Sequence, residues 1–249
     1  MVVAVSGALH RCFNADHRRC PVQLAHRLGY ACAPLETERA ARTRVHVQMT
    51  EVQRDKVTAL ARASWFPAAL IAGCFLLQIF DLEQALRFDR RLIGEGAWWR
   101  MLSANFIHLG WNHFALNMAG AALVFALFGA SVSAWEWLVV IIITSIAIAL
   151  AVLVLNKEIN WYVGLSGTLH GMFTYGAVAE LRHARLFASL LLLGAGAKLL
   201  WEQVAGSLPG TAETVGGDVI VDAHLYGALA GLFLAACWYV YHLIGRRPK

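Results

Sequence analysis

The sequence predicts an all-α polytopic membrane protein, a bundle of six transmembrane helices. Three observations carry this. Of 249 residues, 59% are hydrophobic and 15% charged, against roughly half and a quarter in an average soluble domain. Six apolar runs follow one another from Trp65 onward. Lys and Arg gather at the ends of these runs, as they do where charge sets membrane topology. The net charge of +5 is therefore a topology signal, and no nucleic-acid partner is expected.

Residues 1–63 are polar and Arg-rich and lack a sustained apolar period. They read as a basic N-terminal tail, with 1–48 expected to be largely disordered and 50–63 a short helix at the membrane surface. No apolar core of signal-peptide length follows the basic start. Met49 is an alternative start for the same membrane domain. Cys12, Cys20 and Cys32 are interleaved with His10, His17 and His26 but lack the close pairs of a zinc site. Cys74 and Cys237 lie in apolar runs and read as membrane-core residues. No metal or cofactor is expected.

The membrane domain is expected over 64–245, with a basic cytoplasmic tail at 246–249. Its runs are Trp65–Phe80, Trp111–Ala130, Ala134–Leu155, Ser166–Leu181, Leu186–Val204 and Ala223–Ile244. A span needs about 20 residues, so the first and fourth are short and need flanking residues or enclosure by protein. The N-terminal tail carries ten Lys and Arg, the fourth turn Arg182 and Arg185, and the C-terminus Arg246, Arg247 and Lys249. The segment Glu202–Asp222 has none but carries four acids. Both termini are therefore expected in the cytoplasm. The loop between the first two runs is ambiguous, because Arg87, Arg90, Arg91 and Arg100 are offset by Asp81, Glu83, Asp89 and Glu95.

With that topology, the second, fourth and sixth runs all begin on the outer side. Their polar residues cluster at those beginnings: His108, Asn112, His113 and Asn117; Ser166 and His170; Asp222 and His224. Ionisable groups in a membrane are costly and are usually turned inward for a function. Serine-based peptide hydrolysis needs a base for the hydroxyl, donors for the oxyanion and access for water. Ser166 fits the nucleophile and His224 the base. Gly167 and Gly171 are four apart, as are Ala223, Gly227 and Gly231, so each helix offers a small-residue face for close approach. His113 and Asn117 share one face and can donate to an oxyanion, as can the Ser166 backbone N–H. His170 is either a second base or a platform for His224, the platform being favoured. His108 is placed along the water route. Asp222 is two residues from His224, a spacing at which helical side chains diverge. An orienting role is therefore weighed against a helix-start role favoured by the dipole.

Four motifs together resemble the rhomboid intramembrane serine proteases. They are Trp99-Arg100, His113-Phe-Ala-Leu-Asn117, Gly164-Leu165-Ser166-Gly167 and Ala223-His224-Leu225-Tyr226-Gly227. The resemblance covers about 65–244 and implies a rhomboid-like bundle with a Ser166–His224 dyad. It also implies an oxyanion site from His113, Asn117 and the Ser166 N–H, with Gly164 and Gly167 in support. Many rhomboids carry an aromatic residue where this chain has His170. That departure and the short loops are similar to the rhombosortase subgroup. The subgroup implies a bacterial inner-membrane enzyme opening to the periplasm. Its substrates would be membrane-anchored secreted proteins with a C-terminal Gly-Gly, apolar helix and basic tail. Two alternatives stand beside this reading. One is a non-catalytic rhomboid-like protein that binds membrane helices, which typically lacks the serine or histidine. The other is a metal-dependent hydrolase using His108, His113, His170 and His224.

Overall fold

A computed structural model describes residues 65–245. The expected tail disorder, the 50–63 surface helix, Cys12, Cys20, Cys32 and the 246–249 tail lie outside the described residues. Six long helices follow the six apolar runs: α1 (Trp65–Ile79), α2 (Trp111–Phe128), α3 (Ala134–Leu155), α4 (Ser166–Glu180), α5 (Arg185–Ala205) and α6 (Val221–Gly245). The protein is a multi-pass membrane protein. Four of the helices, α2, α3, α5 and α6, are long and apolar enough to cross a membrane.

α4 resolves the problem of the short runs. At 15 residues it rises only about 22 Å, less than the hydrocarbon core of about 30 Å. Its buried residues include Gly167, Thr168, Leu169, Gly171, Met172, Thr174, Tyr175 and Gly176. Those residues point to several sides, so α4 is wrapped by α2, α3, α5 and α6. Protein, rather than lipid, surrounds this short helix. α1 is equally short but is largely exposed, with Cys74 its one fully covered side chain.

The helix ends follow local chemistry. α3 starts at a capping box: Ser133 accepts from Glu136 N–H while the Glu136 carboxylate takes the Ser133 N–H, which satisfies two orphan donors. Arg90 closes the other end of α3. Its guanidinium donates to the carbonyls of Leu153 (2.7 Å), Val152 (2.8 Å), Asn156 (2.8 Å) and Ile159 (2.9 Å). Two of these carbonyls, Val152 and Leu153, belong to the last turn of α3 and two, Asn156 and Ile159, to the segment that leaves it, so one cation ties the helix end to the following chain at the negative end of the dipole.

The loop between α1 and α2 is folded. It forms short helical turns at Glu83–Leu86, Arg90–Gly94 and Arg100–Ser103 and a 3-10 turn at Ala104–Phe106. A two-residue strand, β1 (Phe88–Asp89), pairs antiparallel with β2 (Trp161–Tyr162), in the register Phe88 to Tyr162 and Asp89 to Trp161. The two rings stack at 4.7 Å. Arg100 is buried and donates to the carbonyls of Gln84 (3.1 Å) and Arg87 (2.9 Å). Arg90 and Arg100 are therefore committed to backbone carbonyls within the fold.

Closest contact is between α4 and α6. A Cβ at Gly167 would lie 2.8 Å from the Ala223 carbonyl oxygen, and one at Gly171 2.7 Å from that of Gly227. Conversely, Cβ atoms at Gly227 and Gly231 would collide with the carbonyl oxygens of Gly167 and Gly171. Backbone touches backbone along two turns. Thr174 Oγ1 adds a bond to Ala228 O at 2.9 Å. Cys74 is buried, whereas Cys237 faces outward rather than into the core.

Candidate active site

The strand-like segment Trp161–Tyr162 leads into Gly164, whose φ of +126° is a conformation that L side chains rarely adopt. The Gly164 N–H bonds to Ala104 O at 3.0 Å, which moors the segment to the folded loop. The chain then turns into α4 with Ser166 as its first residue. The N–H of that residue has no partner within the helix and sits at the positive end of the dipole. Thr168, one position beyond Gly167, bonds inward to Asn105 Oδ1 (3.1 Å) and Ser145 (3.0 Å). This buried hydroxyl–amide chain fixes the rotation of α4, and with it the direction of Ser166.

The glycine contact brings α6 alongside. Ser166 Oγ lies 2.9 Å from His224 Nε2. His224 is buried, and its Nδ1 is 3.0 Å from Glu202 Oε2 on α5. Glu202 Oε1 is paired with Lys198 Nζ at 2.6 Å. His170, one turn below Ser166, stacks on His224 with ring centroids 4.3 Å apart and 20° between planes. Its Nδ1 is 2.7 Å from Ser166 O and its Nε2 is 3.0 Å from Lys198 Nζ. Five side chains from three helices thus form one connected array.

On the other side of Ser166 lies His113. Leu109 N–H donates to His113 Nδ1 at 3.4 Å, which leaves the ring proton on Nε2. A Cβ at Gly164 would lie 2.9 Å from His113 Nε2 and 4.0 Å from Ser166 Oγ. Both atoms therefore border one small space, which the absent Gly164 side chain leaves open. Asn117 is buried one turn further along and donates one amide hydrogen to His113 O at 3.2 Å. His108 packs edge-on against His113 at 5.2 Å and Phe114 at 5.6 Å. Burial, with His113 adding to it, pushes His108 down to about 3, so its imidazole is neutral. Neither ring nitrogen has a partner among the described residues. Asn112, in the same polar cluster of the sequence, faces outward.

Asp222 is turned away from the array. Its carboxylate accepts from Asn156 Nδ2 at 2.6 Å, and Asn156 Oδ1 in turn accepts from Tyr226. The acid beside His224 is Glu202, which sequence reasoning counted as an outer-loop charge. It lies inside α5 and is 3% exposed. A signal for it existed: Lys198 and Glu202 stand four apart on one face of an apolar run, where ionisable residues ordinarily mark function.

His170, Glu202 and His224 offer ligand atoms within 4.8 Å of one another. The Lys198 ammonium contacts two of the three residues, so a cation from the chain itself already occupies the donor set. His108 and His113 meet edge-to-face and are not part of that cluster.

The hydroxyl–imidazole–carboxylate order is the arrangement that activates a serine in soluble hydrolases. No curated protein matches the chain. Among protein families, residues 95–241 match the Rhomboid domain.

Proposed function

The chain belongs to the rhomboid family of intramembrane proteases, and we propose from this that it is an intramembrane serine endopeptidase in which Ser166 is the nucleophile and His224 the base. The observation that carries the reading is the 2.9 Å approach of Ser166 Oγ to His224 Nε2, delivered by the close glycine contact of α4 and α6. Ser166 Oγ attacks the substrate carbonyl carbon as its proton passes to Nε2. The tetrahedral oxyanion would form in the space bordered by His113 Nε2–H and Ser166 Oγ, with the Ser166 N–H at the start of α4 and the second amide hydrogen of Asn117 as the further donors of this reading. Collapse breaks the C–N bond, and Nε2 returns the proton to the leaving amine. Water, deprotonated by the same nitrogen, then hydrolyses the acyl-enzyme. His170 serves as the platform on which the His224 ring lies flat.

A peptide bond within a helix is shielded by its own backbone hydrogen bonds, so the substrate segment must unwind. Glycines ease this by roughly 1 kcal/mol each relative to alanine. That favours substrates of the rhombosortase kind: secreted proteins ending in Gly-Gly, an apolar helix and a basic tail. His170 in place of the family's aromatic residue supports this subgroup. The enzyme would sit in a bacterial inner membrane with both termini cytoplasmic and the α4 N-terminus opening to the periplasm. The test is mass spectrometry of the secreted proteome from cells carrying the wild type or Ser166→Ala. Proteins that keep an apolar C-terminal tail only in the variant support the substrate class. An unchanged set of C-termini removes it.

A further inference from the structure

We infer that Glu202 is a positioning residue that completes a Ser166–His224–Glu202 triad, and that Lys198 and His170 hold this carboxylate and imidazole in register. The inference rests on the nucleophile and base proposed above and adds a third group, from a third helix.

The proton positions follow from the partners. Glu202 is paired with an ammonium at 2.6 Å, so it is a carboxylate and can only accept. The 3.0 Å contact with His224 Nδ1 therefore requires the proton on Nδ1. Nε2 is left with its lone pair facing the Ser166 hydroxyl, the tautomer that a general base needs. His170 is assigned in the same way. Lys198 can only donate, so His170 Nε2 accepts at 3.0 Å. Its Nδ1–H then donates to Ser166 O at 2.7 Å, and the ring is pinned at both nitrogens beneath His224. When His224 takes the serine proton it becomes a buried cation. Glu202 is the anion in contact with it, and Lys198 keeps that carboxylate paired before the proton arrives.

An alternative is that Glu202 only ties α5 to α6, as a buried ion pair can. The two roles separate in kinetics and in the state of the imidazole. The experiment uses the purified full chain in lipid nanodiscs, with Glu202→Gln as a near-isosteric variant. Two rates are read: fluorophosphonate labelling of Ser166, and turnover of a reporter bearing a Gly-Gly transmembrane segment. A glutamine can present its amide N–H to Nδ1 and impose the wrong tautomer, a change that costs about 10⁴-fold in a soluble serine protease. The triad predicts that labelling and kcat fall by between about 10² and 10⁴, with KM and the thermal midpoint nearly unchanged. A fall of about tenfold or less overturns it.

A second measurement does not depend on how Glu202→Gln folds. In ¹⁵N-histidine-labelled Ser166→Ala, the His224 Nδ1–H bonded to a carboxylate gives a proton resonance downfield of the amide envelope. Its absence overturns the triad. If Ser166→Ala itself still cleaves the reporter, the serine protease reading falls. If Ser166→Ala is inactive while Glu202→Gln matches the wild type, the triad alone falls.

Discussion

Gly171→Ala tests whether close helix packing is what brings the base to the serine. The new Cβ would stand 2.6 Å from Thr144 Cγ2 and 2.7 Å from Gly227 O, whereas unstrained contacts lie at roughly 3.5 Å or more. Relief on the α6 side requires a displacement of about 0.8 Å, because Gly227 O is backbone and cannot rotate away. Carried in full one turn up to the active site, that displacement stretches the 2.9 Å Ser166–His224 bond to about 3.7 Å, beyond hydrogen-bonding range. A misplacement of this order costs about 10²-fold in rate. Overpacking costs about 1–3 kcal/mol in stability. The assay is the second-order rate of fluorophosphonate labelling in membranes, with Gly194→Ala and Gly196→Ala as controls. A Cβ at either control position meets nothing within 4 Å, and both lie within α5. Both controls should label at the wild-type rate while Gly171→Ala labels about a hundredfold more slowly. Equal rates for all three would refute the claim that the glycine contact positions the base.

Gly164→Ala should lose both stability and activity. The φ of +126° disfavours a side chain, and the new Cβ would press on His113 at 2.9 Å. The cost is about 1–3 kcal/mol, read as a lowered thermal midpoint together with slower labelling. Asp222→Asn should label within about threefold of the wild type, because the carboxylate faces Asn156 at 2.6 Å and not His224; a loss of 10² or more would restore an orienting role. His113→Ala should lower kcat by about 10²–10³, the cost of one oxyanion donor, with KM little changed. A chelator should leave turnover unaffected, since Lys198 contacts two of the three residues of the only candidate ligand cluster among the described residues. Activity that a chelator removes and Ser166→Ala preserves would favour metal chemistry.

The helices were readable from the chain because a membrane imposes long apolar elements and punctuates them with polar residues. The third run and α3 coincide at Ala134–Leu155, and the others differ by one to two residues at most ends. The α4–α6 contact was readable because glycines four apart serve one evident purpose in a membrane. The folded loop was not. Its turns of four or five residues are too short to be stable alone. They exist because Arg90, Arg100 and Ser103 bond to carbonyls 13 to 69 positions away, pairings that no local pattern encodes. The role of Glu202 is hidden in the sequence for another reason. A topology count treats an acid near a helix end as solvated, and only the three-dimensional placement of α5 turns it toward His224. The sequence sign of it is Lys198, an ammonium inside an apolar run four residues before that acid.

The most direct test of the central claim is cleavage by the purified chain, reconstituted in liposomes with a single-span reporter bearing a Gly-Gly segment. Wild type is expected to cut the reporter within or beside its apolar segment, while Ser166→Ala and His224→Ala leave it intact. Cleavage that persists in Ser166→Ala would contradict the assignment of this serine, and with it the mechanism built on its 2.9 Å contact with His224.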